Sequence, residues 1–237
     1  MDVQFNEFIK AQADANVTFY DSYTAKGDWW SNAATIRPNL IAPLIPLSYI
    51  EENNVQTLRQ KEALAAQKYL GVKNAGFLGF ADKNDNSERE ISLKIVEVIR
   101  QLKPDYVITA DPNLETECHS DHIKVGNAVK YAAMDAQCNF YPEFIDGKLR
   151  DDAWKVKGVG FYYTDKPNTI IDITDFEETK MQSIKCHKSQ AEPALLAAIM
   201  LQQQMFAEGT DFKAAEPLRL LNNLQMHCFN LPVISKE

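Results

Sequence analysis

Two histidines three residues apart form the strongest candidate for chemistry in the sequence. His119 and His122 lie in the segment 117–122, Glu-Cys-His-Ser-Asp-His, and the chain contains four histidines. Histidines at positions i and i+3 of a helical turn can face one site. Asp121 between them supplies a carboxylate that can orient either ring. The segment therefore offers an imidazole metal ligand and a second imidazole that can act as an acid or as a donor to an oxyanion.

Zinc-dependent hydrolysis is one chemistry for which this cluster has suitable residues. A zinc ion lowers the pKa of its bound water to about 7 and polarises a carbonyl, so the protein adds a base and a donor to the tetrahedral intermediate. An ordinary capped surface helix can contain the same His-x-x-His spacing. The spacing by itself therefore leaves both interpretations open.

The elements around the pair place it at an edge of the predicted sheet. Residues 106–109 (Tyr-Val-Ile-Thr) are typical of a strand, and residues 123–136 are typical of a helix. In open α/β sheets, ligands bind at the carboxyl ends of the strands. The N-terminus of the following helix adds free backbone N–H groups, which favour developing negative charge. The sequence thus predicts a site between this strand and this helix.

Helices alternate with short apolar strands through the first half of the chain. Residues 55–70 are strongly helix-forming, and Gly71 can end that helix in a left-handed conformation. Ser87 and Glu90 form a capping-box pattern ahead of a second helix. The predicted inward stripe of that helix is Ile91, Ile95, Val98 and Leu102. Since parallel strands need crossover connections, the alternation predicts a Rossmann-like, doubly wound α/β fold with a mostly parallel sheet and helices on both faces.

Further elements follow the same patterns along the chain. The other predicted strands and helices cover residues 17–20, 75–80, 159–163 and 169–173, and residues 175–187 and 193–207, respectively. The sequence opens with a helical pattern near residues 5–13, whereas such a sheet normally begins with a central strand. We therefore expect that the first, central strand is missing. Residues 24–46 are predicted to be a long substrate-binding loop.

Size and charge limit the classes of protein to consider. The 237 residues, 45% of them hydrophobic, are enough for a single domain over residues 1–237. The formal net charge of −8 disfavours nucleic acid as a partner, because clustered Lys and Arg side chains bind phosphates. The sequence has no apolar run that could span a membrane and no signal-peptide pattern, which predicts a cytoplasmic protein. Assembly into a homo-oligomer is left open.

Several short motifs occur along the chain in a specific order. They are residues 24–27 (Thr-Ala-Lys-Gly), 59–63 (Arg-Gln-Lys-Glu-Ala), 70–72 (Leu-Gly-Val), 77–82 (Phe-Leu-Gly-Phe-Ala-Asp), 102–109 (Leu-Lys-Pro-Asp-Tyr-Val-Ile-Thr), 119–122 (His-Ser-Asp-His) and 187–190 (His-Lys-Ser-Gln). In this order and spacing they resemble the LmbE/PIG-L-like N-deacetylases, which remove acetyl groups from N-acetylglucosamine-type amino sugars. The resemblance covers nearly the whole chain. It implies a small-molecule amino-sugar substrate, and zinc or another divalent metal as the cofactor.

The resemblance also implies roles for the residues of the histidine motif. His122 would be the metal ligand of the family's second motif. His119 would be the imidazole that assists at the oxyanion or at the leaving group, and Asp121 would orient the two rings. These three residues form the catalytic and metal-binding part of the predicted site.

Three further residues are expected to contact the substrate because they match family positions. Arg59 and Asp82 would bind the sugar, since a guanidinium and a carboxylate suit the hydroxyl groups of a hexose. His187 would enter the site from the C-terminal half, with a structural histidine as the alternative. Trp29 and Trp30 would either stack on a sugar ring or anchor their loop to the core.

The sequence departs from the family at one important motif. The family's first motif, Ala-His-Pro-Asp-Asp, supplies a His and an Asp as metal ligands and another Asp as the general base, and it is expected just before Met1. Catalytic zinc usually has three protein ligands, of which His122 would be one. Two functions therefore remain: a zinc-dependent hydrolase of N-acetylated amino sugars, or a non-catalytic carbohydrate-binding relative or inactive fragment. A nucleotide-binding oxidoreductase is disfavoured because the chain has neither Gly-x-Gly-x-x-Gly nor a P-loop.

Overall fold

A computed structural model describes four parts of the chain. These are residues 18–21, 55–80, 85–141 and 148–227. Several sequence predictions lie outside the described residues: the helix near residues 5–13, the loop 24–46 with Trp29 and Trp30, and the sugar contact Asp82.

The described residues form six strands and five helices in an α/β arrangement. The strands are β1 (Thr18–Asp21), β2 (Lys73–Phe77), β3 (Tyr106–Ala110), β4 (Gly158–Tyr162), β5 (Thr169–Asp172) and β6 (Ala215–Asn222). The helices are α1 (Val55–Leu70), α2 (Glu88–Leu102), α3 (Ser120–Asp135), α4 (Glu177–Lys185) and α5 (Pro193–Ala207). No helix within these parts of the chain is long and apolar enough to cross a membrane.

The chain divides into two compact units, each built from two separate stretches. The first unit comprises Met1–Asp82 and Ile173–Ala214, and the second comprises Lys83–Asp172 and Ala215–Glu237. The predicted single domain over residues 1–237 stays a prediction.

The first unit contains a parallel pair of strands, β1 and β2, and the helices α1, α4 and α5. Helix α1 packs against α4 and has the predicted bounds, and Gly71 ends it with a φ of 69°. Met181, Ile184 and Ile199 form a buried cluster that joins α4 to α5. Strand β2 begins at Lys73 and ends at Phe77, whereas residues 75–80 were predicted, and Gly79 beyond its end has a φ of 80°.

The second unit contains a mixed four-stranded sheet in the order β3-β4-β6-β5. Strands β3 and β4 are parallel, with Tyr106 opposite Gly158 and Ala110 opposite Tyr162. Strand β6 runs antiparallel to both β4 and β5. The α/β class is therefore confirmed, but β6 was not predicted and makes this sheet mixed. The Rossmann-like, doubly wound order and the missing central strand stay predictions.

Helix α2 buries a different face from the one that its sequence predicted. Ser87 and Glu90 form the expected capping box, with the Ser87 hydroxyl accepting from the Glu90 N–H at 3.2 Å. The buried residues are Ile91, Ser92, Ile95, Val96, Ile99 and Arg100. Val98 is only partly buried and Leu102 is 37% exposed, so this part of the predicted stripe was wrong. The buried face differs from the predicted stripe because α2 packs along α3, and Arg100 lies on the buried face.

Arg100 satisfies the carboxyl end of α3. Its Nε donates to the Ala136 carbonyl at 3.1 Å and one terminal nitrogen donates to the Cys138 carbonyl at 2.7 Å. The same nitrogen also contacts the carbonyls of Asp135 and Tyr141. The last carbonyls of a helix have no partner within the helix, and a cation suits its negative end. Arg100 is 2% exposed, so this contact fixes α2 against the end of α3 in the interior of the unit.

Candidate active site

The predicted histidine motif lies between the end of β3 and the start of α3. Asp111 follows β3 directly, and its backbone N–H donates to the Tyr162 carbonyl at 2.9 Å. Turns then carry the chain to His119, because the N–H groups of Leu114 and Glu117 donate to the carbonyls of Asp111 and Leu114, respectively. The motif therefore occupies the predicted position at the carboxyl end of a parallel strand.

The Asp111 carboxylate anchors this loop to the rest of the second unit. One oxygen accepts from the backbone N–H of Asn113 at 2.9 Å, as expected for a turn-forming aspartate. The other accepts from the Thr164 hydroxyl at 2.7 Å and lies 3.8 Å from a guanidinium nitrogen of Arg219. Asp111 is 2% exposed. The carboxylate thus joins the residues that follow β3 and β4 to a side chain of β6.

Gly126 allows α3 to approach the loop closely. A Cβ atom at this position would lie 2.7 Å from the Ala110 carbonyl oxygen and 2.8 Å from Cδ of Pro112. These distances are shorter than contacts between real Cβ atoms and backbone or ring atoms. A glycine is therefore required for the first turns of α3, and for the histidines on them, to lie against the end of β3.

His122 is buried and its ring is held by a carboxylate. It is 3% exposed, and its Nδ1 lies 2.5 Å from Oε2 of Glu117, whose side chain is 11% exposed. Burial holds the pKa of His122 below its ordinary value, although the hydrogen bond with Glu117 acts in the opposite direction. Because a carboxylate accepts hydrogen bonds, this contact favours the neutral tautomer in which Nδ1 of His122 carries the proton and Nε2 has the lone pair.

His119 is the N-cap residue of α3 and has the opposite hydrogen-bonding pattern. Its Nδ1 accepts from the backbone N–H of Asp121 at 3.2 Å. Because a backbone N–H can only donate, Nδ1 of a neutral His119 is unprotonated and Nε2 carries the proton. The rings of His119 and His122 are stacked, with centroids 4.9 Å apart and planes inclined by 29°.

Glu117 was not predicted from the sequence to belong to the site. Besides contacting His122, its second carboxylate oxygen accepts from the backbone N–H of His119 at 2.7 Å. The sequence shows that an acidic residue lies five positions before His122, but this spacing does not predict that its carboxylate contacts the His122 ring. Asp121, which lies between the two histidines in the sequence, is 1% exposed. Its role in orienting the rings stays a prediction.

The hydrogen bonding of His122 resembles that of a histidine that binds a metal ion. A metal ligand histidine is neutral, and its other ring nitrogen usually donates to a carboxylate or carbonyl. His122 has this arrangement through Glu117. Within the described ranges, no group of three or more His, Cys, Asp or Glu side chains is placed to hold a metal ion. The role of His122 as a metal ligand stays a prediction, and its contact with Glu117 is compatible with it.

The remaining described candidates lie in the first unit. Arg59 is partly buried on α1, and His187 follows α4 and is 3% exposed. The Glu62 carboxylate, one turn from Arg59, accepts from the backbone N–H and the hydroxyl of Ser189 at 2.8 and 2.7 Å. The structure thus ties the helix of Arg59 to the turn that contains His187, whereas His119, Asp121 and His122 belong to the second unit.

Comparison with known proteins gives matches in sequence and in fold. The family model described as PIG-L, GlcNAc-PI de-N-acetylase, matches residues 13–133. The diacetylchitobiose deacetylase of Thermococcus kodakarensis is 37% identical over 136 residues, which are 56% of this chain and 49% of that protein. The probable N-acetyl-alpha-D-glucosaminyl L-malate deacetylase 2 of Bacillus cereus is 26% identical over 149 residues, 62% of this chain and 64% of that protein.

The fold resembles that of a solved deacetylase. The structure of N,N'-diacetylchitobiose deacetylase from Pyrococcus horikoshii, complexed with its inhibitor MPG, superimposes with a TM-score of 0.69 at 24% sequence identity. The match covers 93% of this chain and 79% of that chain. At this identity the likeness concerns the fold. The chain spans about half the length of the Thermococcus relative and less than two thirds of the Bacillus relative.

Proposed function

The chain belongs to the PIG-L, GlcNAc-PI de-N-acetylase, family, and on that premise we propose that it acts in metal-dependent hydrolysis of the N-acetyl group of an amino sugar or its conjugate. Two relatives that are 37% and 26% identical over part of the chain are named diacetylchitobiose deacetylase and probable N-acetyl-alpha-D-glucosaminyl L-malate deacetylase 2. The arrangement of the histidine motif gives this proposal its chemical content, since fold alone does not determine activity.

The observation that carries the proposal is the opposite hydrogen bonding of His119 and His122. Hydrolysis of an amide adds water to the carbonyl carbon, places negative charge on the oxygen, and then breaks the C–N bond with proton transfer to the amine. The Nε2–H of His119 can donate to that oxygen or to the departing nitrogen. The lone pair on Nε2 of His122 suits a metal ligand instead.

Zinc is the cofactor that we propose, with another divalent metal as the alternative. His122 would be one of its ligands, and Glu117 would keep the His122 ring in the ligand orientation. When bound, the metal would polarise the acetyl carbonyl and lower the pKa of its water. His119, as the N-cap of α3, lies where backbone N–H groups also favour developing negative charge.

The substrate contacts of the proposal rest on family positions. Arg59, Asp82 and His187 would bind hydroxyl groups of the sugar, and Asp121 would orient the histidine rings. The loop with Trp29 and Trp30 would determine which sugar conjugate is accepted. A cytoplasmic location and assembly into a homo-oligomer are carried forward as predictions.

The test is release of acetate by the 237-residue chain from N-acetylglucosamine and from diacetylchitobiose. The chain is first treated with a chelator and then assayed with and without added zinc. We expect zinc-dependent acetate release that His122→Ala abolishes and that His119→Ala lowers at least about 100-fold, as for loss of one acid or oxyanion donor. His227→Ala, which alters an exposed histidine in a turn, is the matched control and should retain activity.

The same samples distinguish the alternative function. Sugar binding measured by calorimetry that is unchanged by the chelator, without acetate release in zinc, would support a non-catalytic carbohydrate-binding protein. Equal activity of wild type and His122→Ala would also overturn the proposal.

A further inference from the structure

The Glu117 carboxylate uses both of its oxygens on the histidine motif. Oε1 accepts from the backbone N–H of His119 at 2.7 Å, and Oε2 lies 2.5 Å from Nδ1 of His122. A single side chain therefore contacts the N-cap residue of α3 and a ring in the first turn of the same helix. This double contact fixes the carboxylate plane with respect to both residues.

The position of Glu117 is itself well determined. Its backbone N–H donates to the Leu114 carbonyl at 3.0 Å, and its side chain is 11% exposed. It lies two residues before the N-cap His119, where the positive end of the α3 dipole favours a carboxylate. The backbone turn and the helix end therefore hold the negative charge beside His122 before any ligand is present.

The consequence of this contact is a choice of tautomer for His122. The proton position on an imidazole is determined by the hydrogen bond that the other nitrogen makes. Because Oε2 of Glu117 accepts from Nδ1, the second nitrogen, Nε2, presents its lone pair. His119 has the other tautomer, since its Nδ1 accepts from the Asp121 N–H.

We propose that Glu117 is a positioning residue that fixes His122 as the Nδ1–H tautomer in the metal-free protein, while the first turn of α3 independently fixes His119 as the Nε2–H tautomer. In the stacked pair, Nε2 of His122 is then a hydrogen-bond acceptor and Nε2 of His119 is a donor. The inference that these two tautomers serve catalysis rests on the proposed deacetylase function. The tautomers themselves are properties of the protein alone and can be observed without metal or substrate.

The first experiment measures the tautomers directly. The metal-free chain, labelled with ¹⁵N at histidine, is studied by long-range ¹H–¹⁵N spectroscopy, and His119→Gln, His122→Gln, His187→Gln and His227→Gln variants assign the signals. In the wild type we expect a protonated Nδ1 for His122 and a protonated Nε2 for His119. The opposite tautomer for His122 would overturn the proposal.

Three variants test whether Glu117 causes the tautomer. Glu117→Ala should move the His122 proton to Nε2 or give a mixture of tautomers, and should leave His119 unchanged. Glu117→Gln retains a carbonyl oxygen that can accept from Nδ1, and should restore much of the wild-type pattern. Glu115→Ala removes an exposed carboxylate from the same loop and is the matched control. Retention of the Nδ1–H tautomer in Glu117→Ala would show that another contact fixes it.

Zinc affinity supplies a second readout, measured by competition with a chromogenic chelator. We expect Glu117→Ala to bind zinc about 10–100-fold more weakly than the wild type, the usual effect of losing a residue that orients a ligand. A loss in Glu117→Ala no greater than in Glu115→Ala would overturn the positioning role. Circular dichroism and a thermal melt establish that each variant is folded before it is compared.

The two proposals fail in distinguishable ways. A protein that shows the expected tautomers and their response to Glu117→Ala, but releases no acetate, would contradict the deacetylase function and leave the positioning of His122 intact. If the protein is a zinc-dependent deacetylase but its His122 tautomer does not change in Glu117→Ala, only the positioning role is contradicted.

Discussion

The Glu62 carboxylate accepts two hydrogen bonds from Ser189, one from the backbone N–H at 2.8 Å and one from the hydroxyl at 2.7 Å. Glu62 is 6% exposed on α1, and Ser189 lies 127 residues later in the chain, in the turn after α4. Within the first unit, this bridge joins the helix of Arg59 to the turn of His187. Glu62 therefore holds together two segments that resemble family motifs, residues 59–63 and 187–190, a contact that was not predicted from the sequence.

Removal of this carboxylate should destabilise the first unit. We expect Glu62→Ala to lower the free energy of unfolding by about 2–3 kcal/mol, because hydrogen bonds to charged groups are strong and the Ser189 donors lose their acceptor. Urea denaturation followed by circular dichroism measures the change. Lys61→Ala, at the exposed neighbouring position of α1, should change stability by less than about 0.5 kcal/mol. Equal effects of the two substitutions would contradict a stabilising bridge.

A methyl group at Gly126 should disturb the contact between α3 and the end of β3. Alanine ordinarily favours a helix over glycine by about 1 kcal/mol. Here the added Cβ would meet the Ala110 carbonyl oxygen at 2.7 Å, so we expect Gly126→Ala to destabilise the protein by about 1–3 kcal/mol. Thermal and urea unfolding test the sign. A gain in stability would show that α3 can move away from the loop without cost.

The two arginines of α2 should differ sharply in their contribution to stability. Arg100 is 2% exposed and donates to carbonyls at the end of α3, so Arg100→Leu leaves buried acceptors without a donor and should cost about 3 kcal/mol or more. The side chain of Arg89 is 49% exposed in its ion pair with Asp135, and Arg89→Leu should cost less than about 1 kcal/mol. Chemical denaturation of both variants measures the difference. Similar losses would contradict the capping role of Arg100.

The capping box of α2 should give a pH-dependent contribution to stability. The backbone N–H of Ser87, followed by its hydroxyl, holds the pKa of Glu90 below its ordinary value of 4.5. Because the folded-state pKa is the lower one, the stabilisation is complete above pH 4.5 and is lost as the pH falls through the folded-state pKa. The difference in melting temperature between wild type and Glu90→Gln should therefore shrink on acidification. A difference that is constant from pH 7 to pH 3, measured by a series of thermal melts, would contradict this assignment.

The sequence by itself determined features that depend on neighbours along the chain. The bounds of α1 and α5, the left-handed Gly71 and the Ser87–Glu90 capping box agree with prediction. Each depends on contacts within about one helical turn, which are encoded locally. The family was also recognisable, because the order of its motifs survives in the sequence and the family match includes His119 and His122.

Only the tertiary structure decided which distant residues meet. Three features have no local signal in the sequence. They are the antiparallel pairing of β6, the burial of Arg100 at the end of α3, and the contact between Asp111 and Thr164, which are 53 residues apart. At the candidate site, the sequence placed Asp121 beside the histidines, whereas the loop conformation brought Glu117 to the ring of His122. Periodicity shows that a helix has an apolar face, but the element packed against the helix determines which of its residues are buried. In the same way, the hydrogen-bond partner of a histidine determines which ring nitrogen carries the proton, and this partner comes from the folded loop.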